Sequence, residues 1–198
     1  MKLQNLEKFY SIHSKFYDAT RWMFLLNRKK ALSLLKFNKK DKILDLACGT
    51  GLNIPYLIKK ISPKNILGID YSKSMLEKAR RKYPKVKFIQ GNVSTFRFNQ
   101  KFDKIVCTYS LSMIESWKET IRNVRKHLKK DGVFLVLDFH RWQGIIKPAY
   151  PIFRWWLSLH GVDSDRNYLP EIKKNFRRVE EKVINSGYNS VILAGIVE

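Results

Sequence analysis

The stretch KILDLACGTGLNIPYL, Lys42 to Leu57, constrains this chain more than any other. An apolar run, Ile43-Leu44-Asp45-Leu46-Ala47, stops at Cys48-Gly49-Thr50-Gly51, and a helical pattern then begins. Strand, glycine turn and helix in succession form the arrangement in which α/β proteins hold nucleotide-like ligands. Gly49 and Gly51 let the backbone turn tightly and approach a ligand with no side chain between. Ile54 stands where a dinucleotide fingerprint would place its third glycine, and no G-K-[ST] phosphate loop follows. What remains is a glycine turn headed by one acid, Asp45, with a second, Asp70, ending the next apolar run.

The rest of the chain repeats the alternation. Asn53–Lys60 reads as a short helix, Asn65–Ile69 as a buried strand, Lys73–Tyr83 as a helix stopped by Pro84, and Val86–Gln90 as a third strand. Lys104–Thr108 predicts a fourth strand and Trp117–Lys129 a helix, closed by the turn Lys130-Asp131-Gly132. Val133–Phe139 predicts a fifth strand, and Arg177–Ile184 and Ser190–Val197 a final hairpin. The pattern predicts an α/β fold: a doubly wound, mostly parallel seven-stranded sheet with ligands gathered beyond the carboxyl ends of its strands. Asp45, Asp70, Asn92, Tyr109, Asp138 and His140 all fall at such ends.

Two flanks depart from this pattern. Residues 1–40 predict an amphipathic helical cap ahead of a domain spanning 41–198, with ten basic residues against Glu7 and Asp18. Residues 140–170 crowd Trp142, Tyr150, Phe153, Trp155 and Trp156 among aliphatics, a composition that suits a membrane–water interface, a lid over an apolar pocket, or plain core packing. The whole 198-residue chain carries 39 lysines and arginines against 17 acids, a net charge of +22. Such a charge favours a polyanion or an anionic membrane surface, or else reflects a lysine-rich proteome. Cys48 and Cys107 suggest neither a disulfide framework nor a metal site, and a reducing, cytoplasmic setting is the natural reading. No apolar run approaches the ~18 residues of a membrane span, so any membrane contact is peripheral, at the inner face. No dedicated nucleic-acid module is visible.

The two acids narrow the ligand. Asp70 is placed to accept both hydroxyls of a ribose. Asp45 and the loop amides are placed to hold an amino-acid zwitterion, carboxylate to ammonium and N–H to carboxylate. A molecule with adenosine at one end and a methionine zwitterion at the other is S-adenosylmethionine.

These motifs resemble the class I methyltransferase superfamily. Leu44–Gly51 looks like its first motif, Gly68-Ile69-Asp70-Tyr71-Ser72 with Met75-Leu76 its second, and Gly91-Asn92-Val93 its adenine-contacting third, with Asn where Asp is commoner. Phe102–Val106 with Tyr109-Ser110-Leu111 is similar to the fourth, and Leu128–Val133 to the turn before strand five, where Asp131 replaces a usual glycine or proline. The resemblance covers residues 40–140. It implies a Rossmann-like methyltransferase fold and the cofactor S-adenosylmethionine, with S-adenosylhomocysteine as product. It also implies a cofactor set of Tyr17, Asp45, Ala47, Gly49, Gly51, Asp70, Tyr71, Met75, Asn92, Val93 and Tyr109, the Asn92 carbonyl meeting the adenine amino group.

The segment Phe16-Tyr17-Asp18-Ala19-Thr20-Arg21-Trp22 resembles the N-terminus of bacterial lipid methyltransferases. Tyr109–Ile114, Val136–Phe139 and Phe153–Leu157 look closest to the betaine-lipid headgroup N-methyltransferases, then the phosphatidylethanolamine enzymes and, more loosely, the quinone C-methyltransferases. This resemblance implies N-methylation of an amino-lipid headgroup at a membrane. Tyr17, Tyr109 and His140 become candidates for a proton relay or for contacts to the methylated ammonium, and Arg21, Arg28 and Arg141 for binding an anionic headgroup. The rivals are methylation of a quinone ring carbon and methylation of RNA or a small molecule.

Overall fold

The computed structural model describes residues 27–139, 144–159, 161–184 and 189–195. Residues 1–26 of the expected helical cap, with the Tyr17 and Arg21 candidates, and the His140 and Arg141 candidates lie outside the described residues. Helix α1 is Arg28–Leu32, within the region expected to form the helical cap. The order then runs β1 (Ile43–Leu46), α2 (Ile54–Leu57), β2 (Ile66–Asp70), α3 (Lys73–Lys82), β3 (Lys87–Gln90), β4 (Phe102–Thr108), α4 (Trp117–His127) and β5 (Leu128–Phe139). A 3-10 turn at Gly144–Ala149 leads into α5 (Tyr150–Leu159), followed by α6 (Leu169–Asn175), β6 (Arg178–Ile184) and β7 (Asn189–Gly195).

The seven strands form one sheet in the order β3-β2-β1-β4-β5-β7-β6. All pairs from β3 to β5 are parallel, and β7 is antiparallel to both β5 and β6. The expected fold is therefore present. Strand alternation sorts the core into two layers. Ile43, Val106, Leu135 and Leu137 join the layer that holds Ala31, Leu57, Leu76 and Leu157. Leu44, Leu46, Ile105, Cys107, Phe134 and Val136 join the layer beneath Ile121, Val124 and Ile172. Helices α1, α2, α3 and α5 thus cover one face, and α4 and α6 the other. The chain leaves β1 toward β2 on one side and returns to β4 on the other. A crevice opens where that direction reverses.

Two expectations are corrected. Helix α4 ends at His127, and Lys130-Asp131-Gly132 lies within β5 rather than in a turn before it. The step from Leu128 to Val133 on β5 matches only the step from Phe102 to Lys104 on β4, so the extra residues bulge out of the ladder. A side chain at Gly132 would come within 2.6 Å of the Leu128 Cγ, so the bulge closes only over a glycine. Helix α6 has no counterpart in the sequence pattern. It carries one fully buried aliphatic, Ile172, behind Pro170 in its first turn, too little periodicity to register.

Candidate active site

A cavity of about 280 Å³ occupies the crevice at the carboxyl ends of β1, β2 and β4. Ala47, Cys48, Gly49 and Thr50 form one wall, Asp70, Tyr71, Met75, Asn92 and Val93 a second, and Thr108, Tyr109, Ser110 and Met113 a third. Arg28 and Glu115 bring charge of opposite sign to its lining.

The first wall is built by backbone geometry. Gly49 and Gly51 take φ of 53° and 81°, and Ala47 takes 52° despite carrying a Cβ. A left-handed non-glycine residue costs on the order of 1–3 kcal/mol and persists where its surroundings impose it. A side chain added at Gly49 would meet nothing within 4 Å, because that position faces the cavity. The Gly49 N–H donates to Asp70 Oδ2 at 2.7 Å, and the other carboxylate oxygen accepts the Ser72 N–H at 2.9 Å. Asp70 therefore holds the glycine loop and the start of α3 together. A carboxylate oxygen can accept more than one hydrogen bond, so an acid at this place can be shared with a ribose diol.

Asp45 sits elsewhere than expected. It is fully buried and does not line the cavity; Asn53 stands between, donating to Asp45 Oδ1 at 2.8 Å and exchanging bonds with the Thr108 hydroxyl at 3.0 and 3.2 Å. Asp45 Oδ2 is buried with no hydrogen-bond partner among the described residues. Burial pushes the Asp45 carboxyl up from 3.8 to about 7, against the lowering effects of the Asn53 bond and the Arg28 charge. Asn53 and Thr108, which do line the cavity, present this acid to it indirectly. Gly51 is also off the wall.

Tyr109 lines the cavity with its ring, but its hydroxyl belongs to an interior network. It donates to Asn189 Oδ1 at 3.1 Å, the same oxygen that accepts Asn27 Nδ2 at 2.9 Å. Asn189 is fully buried and its own amide donates to the Asp138 carbonyl at 3.3 Å. Through its hydroxyl Tyr109 pins β4, β7 and the start of α1 together. Tyr109 also takes a positive φ of 55°. The Arg28 guanidinium lies over its ring, 4.8 Å from the centroid, and attraction to the ring face holds it there.

The loop after β4 is tied from behind. Asp138 is buried and accepts from the Ser112 N–H at 3.0 Å, the Ser112 hydroxyl at 2.8 Å and the Phe139 N–H at 2.8 Å. Burial raises its pKa, opposed by those bonds. Arg166 Nη1 donates to the carbonyls of Leu111 and Ile114, both at 2.6 Å, and the Asp163 N–H donates to the Ser112 carbonyl at 2.9 Å. The strand-end position of Asp138 is visible in the sequence, but its task of holding Ser112 is not. Arg166 and Asn189 carry no local mark at all, because each acts through partners far away in the chain. Asn92 accepts the Ser94 N–H on its Oδ1 at 2.8 Å, so its Nδ2 is the group left to donate toward a ring nitrogen of adenine.

The residues present fit S-adenosylmethionine. The cavity faces a glycine left clear of side chains, an acid placed for a ribose lies on one wall, and an orphaned buried carboxylate oxygen stands behind Asn53. A family profile described as "Methyltransferase domain" matches residues 43–132. The ubiquinone/menaquinone biosynthesis C-methyltransferase of Campylobacter jejuni is 30% identical over 181 residues, covering 81% of this chain and 77% of that enzyme. A malonyl-acyl-carrier-protein O-methyltransferase of Priestia megaterium is 31% identical over 144 residues, which is 69% of this chain but spans only 52% of that relative's length. A solved S-adenosylmethionine-dependent methyltransferase of Thermotoga maritima shares the fold with a TM-score of 0.72 at 16% identity, over 96% of each chain. On this sequence kinship and the site that accompanies it, the chain belongs to the class I S-adenosylmethionine-dependent methyltransferases.

Proposed function

We propose that this methyltransferase works at the inner face of a membrane and N-methylates an amino-lipid headgroup of the diacylglycerylhomoserine or phosphatidylethanolamine type. The observation that carries the reading is α5. Its inward residues Tyr150 and Leu157 are buried, while Ile152, Trp155 and Leu159 are 73%, 62% and 61% exposed along one outward stripe. A helix apolar on opposite faces needs an apolar partner on each; the protein core serves one, and a bilayer interface suits the other. A net charge of +22 draws the chain toward anionic lipid, worth ~1 kcal/mol per basic residue near the surface. No helix among the described residues is long and apolar enough to cross a membrane.

When bound, S-adenosylmethionine supplies an electrophilic methyl group on a sulfonium. The residues of this chain position the acceptor in line with that group, a task worth several kcal/mol without a strong base. An amine that has lost its proton to water suits such a site. The exposed carboxylate of Glu115 at the cavity favours a cationic headgroup approaching from solvent.

A second reading, methylation of a quinone ring carbon, is supported by the 30% identity to the Campylobacter jejuni enzyme. It shares the membrane-dissolved acceptor. Incubation with methyl-labelled S-adenosylmethionine and anionic vesicles separates the two. Label extracted with vesicles that carry amino-lipid supports headgroup methylation, and label extracted only with vesicles that carry a demethylquinone supports the ring. Transfer to water-soluble acceptors alone overturns both.

A further inference from the structure

We propose that a second cleft, at the amino ends of the strands, binds a nucleoside monophosphate. Its volume is about 420 Å³, within the range that takes small organic ligands (roughly 300–1,000 Å³). It lies between the loop that leads into β4 and the residues that enter β1, β2 and β3. Lys42 precedes β1 and lines this cleft, whereas Ala47 follows β1 and lines the cofactor crevice, about 16 Å away at the rise of an extended strand. The two sites therefore use opposite ends of the same sheet.

The lining divides by chemistry. Lys42, Lys64 and Lys87 are exposed at its rim, and among the described residues that line it there is no acid. Like charges gathered in a concave site repel one another and draw an anion. Their stems start from fixed backbone. The Lys42 N–H donates to Asp103 Oδ2 at 2.8 Å, its carbonyl accepts the Asp103 N–H at 2.9 Å, and its Nζ donates to the Gln100 side-chain oxygen at 3.3 Å. Lys64 sits in the 3-10 turn Pro63–Asn65, and Lys87 opens β3. Asp103, beside the cleft, is paired with Lys129 Nζ at 2.8 and 2.9 Å.

The floor is apolar, built from Ile66, Ile89, Phe98 and Phe102. Phe98 is half-buried, its ring braced by Phe96 at 5.0 Å and Phe102 at 6.0 Å. Asn65, Asn99 and Gln100 add amide donors and acceptors. Inorganic phosphate would leave that floor unused, and a hydrocarbon chain would leave the amides unused. A phosphate joined to a flat heterocycle engages lysines, amides and floor together. The membrane contact proposed for α5 does not account for these lysines. Phe153 of α5 packs on Phe139 with ring centroids 6.2 Å apart, at the carboxyl end of β5. The second site is therefore independent of which acceptor is methylated.

Calorimetric titration of the full chain tests this with S-adenosylhomocysteine in excess, so that the cofactor crevice is already filled. The probes are the 5′-monophosphates of adenosine and uridine, the two nucleosides, and inorganic phosphate. At least one monophosphate should bind ~10-fold or more tightly than its nucleoside or phosphate alone. Replacing two exposed lysines together, Lys64→Gln with Lys87→Gln, should weaken it ~10–100-fold while S-adenosylhomocysteine affinity stays within about twofold. A short single-stranded oligonucleotide then distinguishes the sources: tighter binding than the monophosphate marks a unit of a nucleic-acid chain, and weaker binding a free nucleotide. Monophosphates that bind no better than inorganic phosphate would overturn the proposal. So would monophosphate affinity that the double replacement leaves unchanged.

Discussion

Gly49 and Asp70, twenty-one positions apart, are joined by a 2.7 Å bond from the glycine N–H to the carboxylate, so the loop after β1 and the acid ending β2 form one unit. The other Asp70 oxygen holds the Ser72 N–H. Both oxygens thus face backbone donors, and Asp70→Asn would set its NH₂ group against one of them. A donor facing a donor costs roughly 1–3 kcal/mol. The variant should lose that much stability in urea unfolding and bind S-adenosylhomocysteine ~10–100-fold more weakly. Unchanged affinity with lowered stability would show that Asp70 shapes the loop but does not touch the ligand.

Asp45 gives the ligand-free chain a pH dependence whose sign follows from burial. Below pH 3.8 the carboxyl is protonated in both folded and unfolded states and has no effect. Between 3.8 and about 7 the folded chain keeps a proton that the unfolded chain has released, so this group's contribution falls as pH rises and levels off above about 7. Every tenfold difference in proton affinity between the two states corresponds to about 1.4 kcal/mol. Asp45→Asn keeps an acceptor for Asn53 and removes the charge. Its stability relative to the unmodified chain should climb between pH 4 and 8 and then level, measured by urea unfolding at each pH. Parallel curves would mean that Asp45 is ionised without cost.

What could be read in the sequence was what is local. The glycine turn, Asp70, Tyr71, Met75, Asn92 and Val93 are marked by short patterns at strand ends, and all of them except Gly51 reach the cavity wall. Asp45 carries the same kind of mark, yet nothing in the run around it reveals that Asn53 stands between it and the ligand. Asn53 meets Thr108 across 55 positions, and Arg166 meets Leu111 across another 55. Such pairs arise only when the sheet brings the carboxyl ends of its strands together. The hydroxyl of Tyr109 shows the same limit: nothing near it in the sequence points to Asn189, eighty residues on, as its partner.

Arg166 is the fastening of the third cavity wall. One nitrogen bonds the carbonyls of both Leu111 and Ile114, while Ile114 and Met113 line the cavity. Arg166→Ala leaves two largely sheltered carbonyls without a charged donor and should cost about 3 kcal/mol of stability. Arg166→Lys supplies an ammonium on a shorter, differently shaped side chain and should recover part of it. The informative readout is cofactor affinity in the lysine variant: a rise of several-fold in the dissociation constant, with the melting temperature nearly restored, identifies a residue that positions the wall. Affinity that simply tracks stability would leave Arg166 a purely structural residue.

The outward stripe of α5 offers the most direct separation of surface from site. Ile152, Trp155 and Leu159 are more than half exposed, so replacing them removes little from the core. Serine at all three should leave stability within about 1 kcal/mol, as for surface changes elsewhere, and leave S-adenosylhomocysteine affinity within about twofold. Binding to vesicles rich in anionic lipid should fall at least tenfold by sedimentation, and added salt should weaken what remains, because the basic residues then act alone. Tryptophan emission gives a second readout: the blue shift of the unmodified chain on mixing with such vesicles should be smaller in Trp155→Phe, and absent with neutral vesicles at high salt. Vesicle binding that survives the triple replacement would remove α5 from the membrane contact and, with it, the main support for a lipid acceptor.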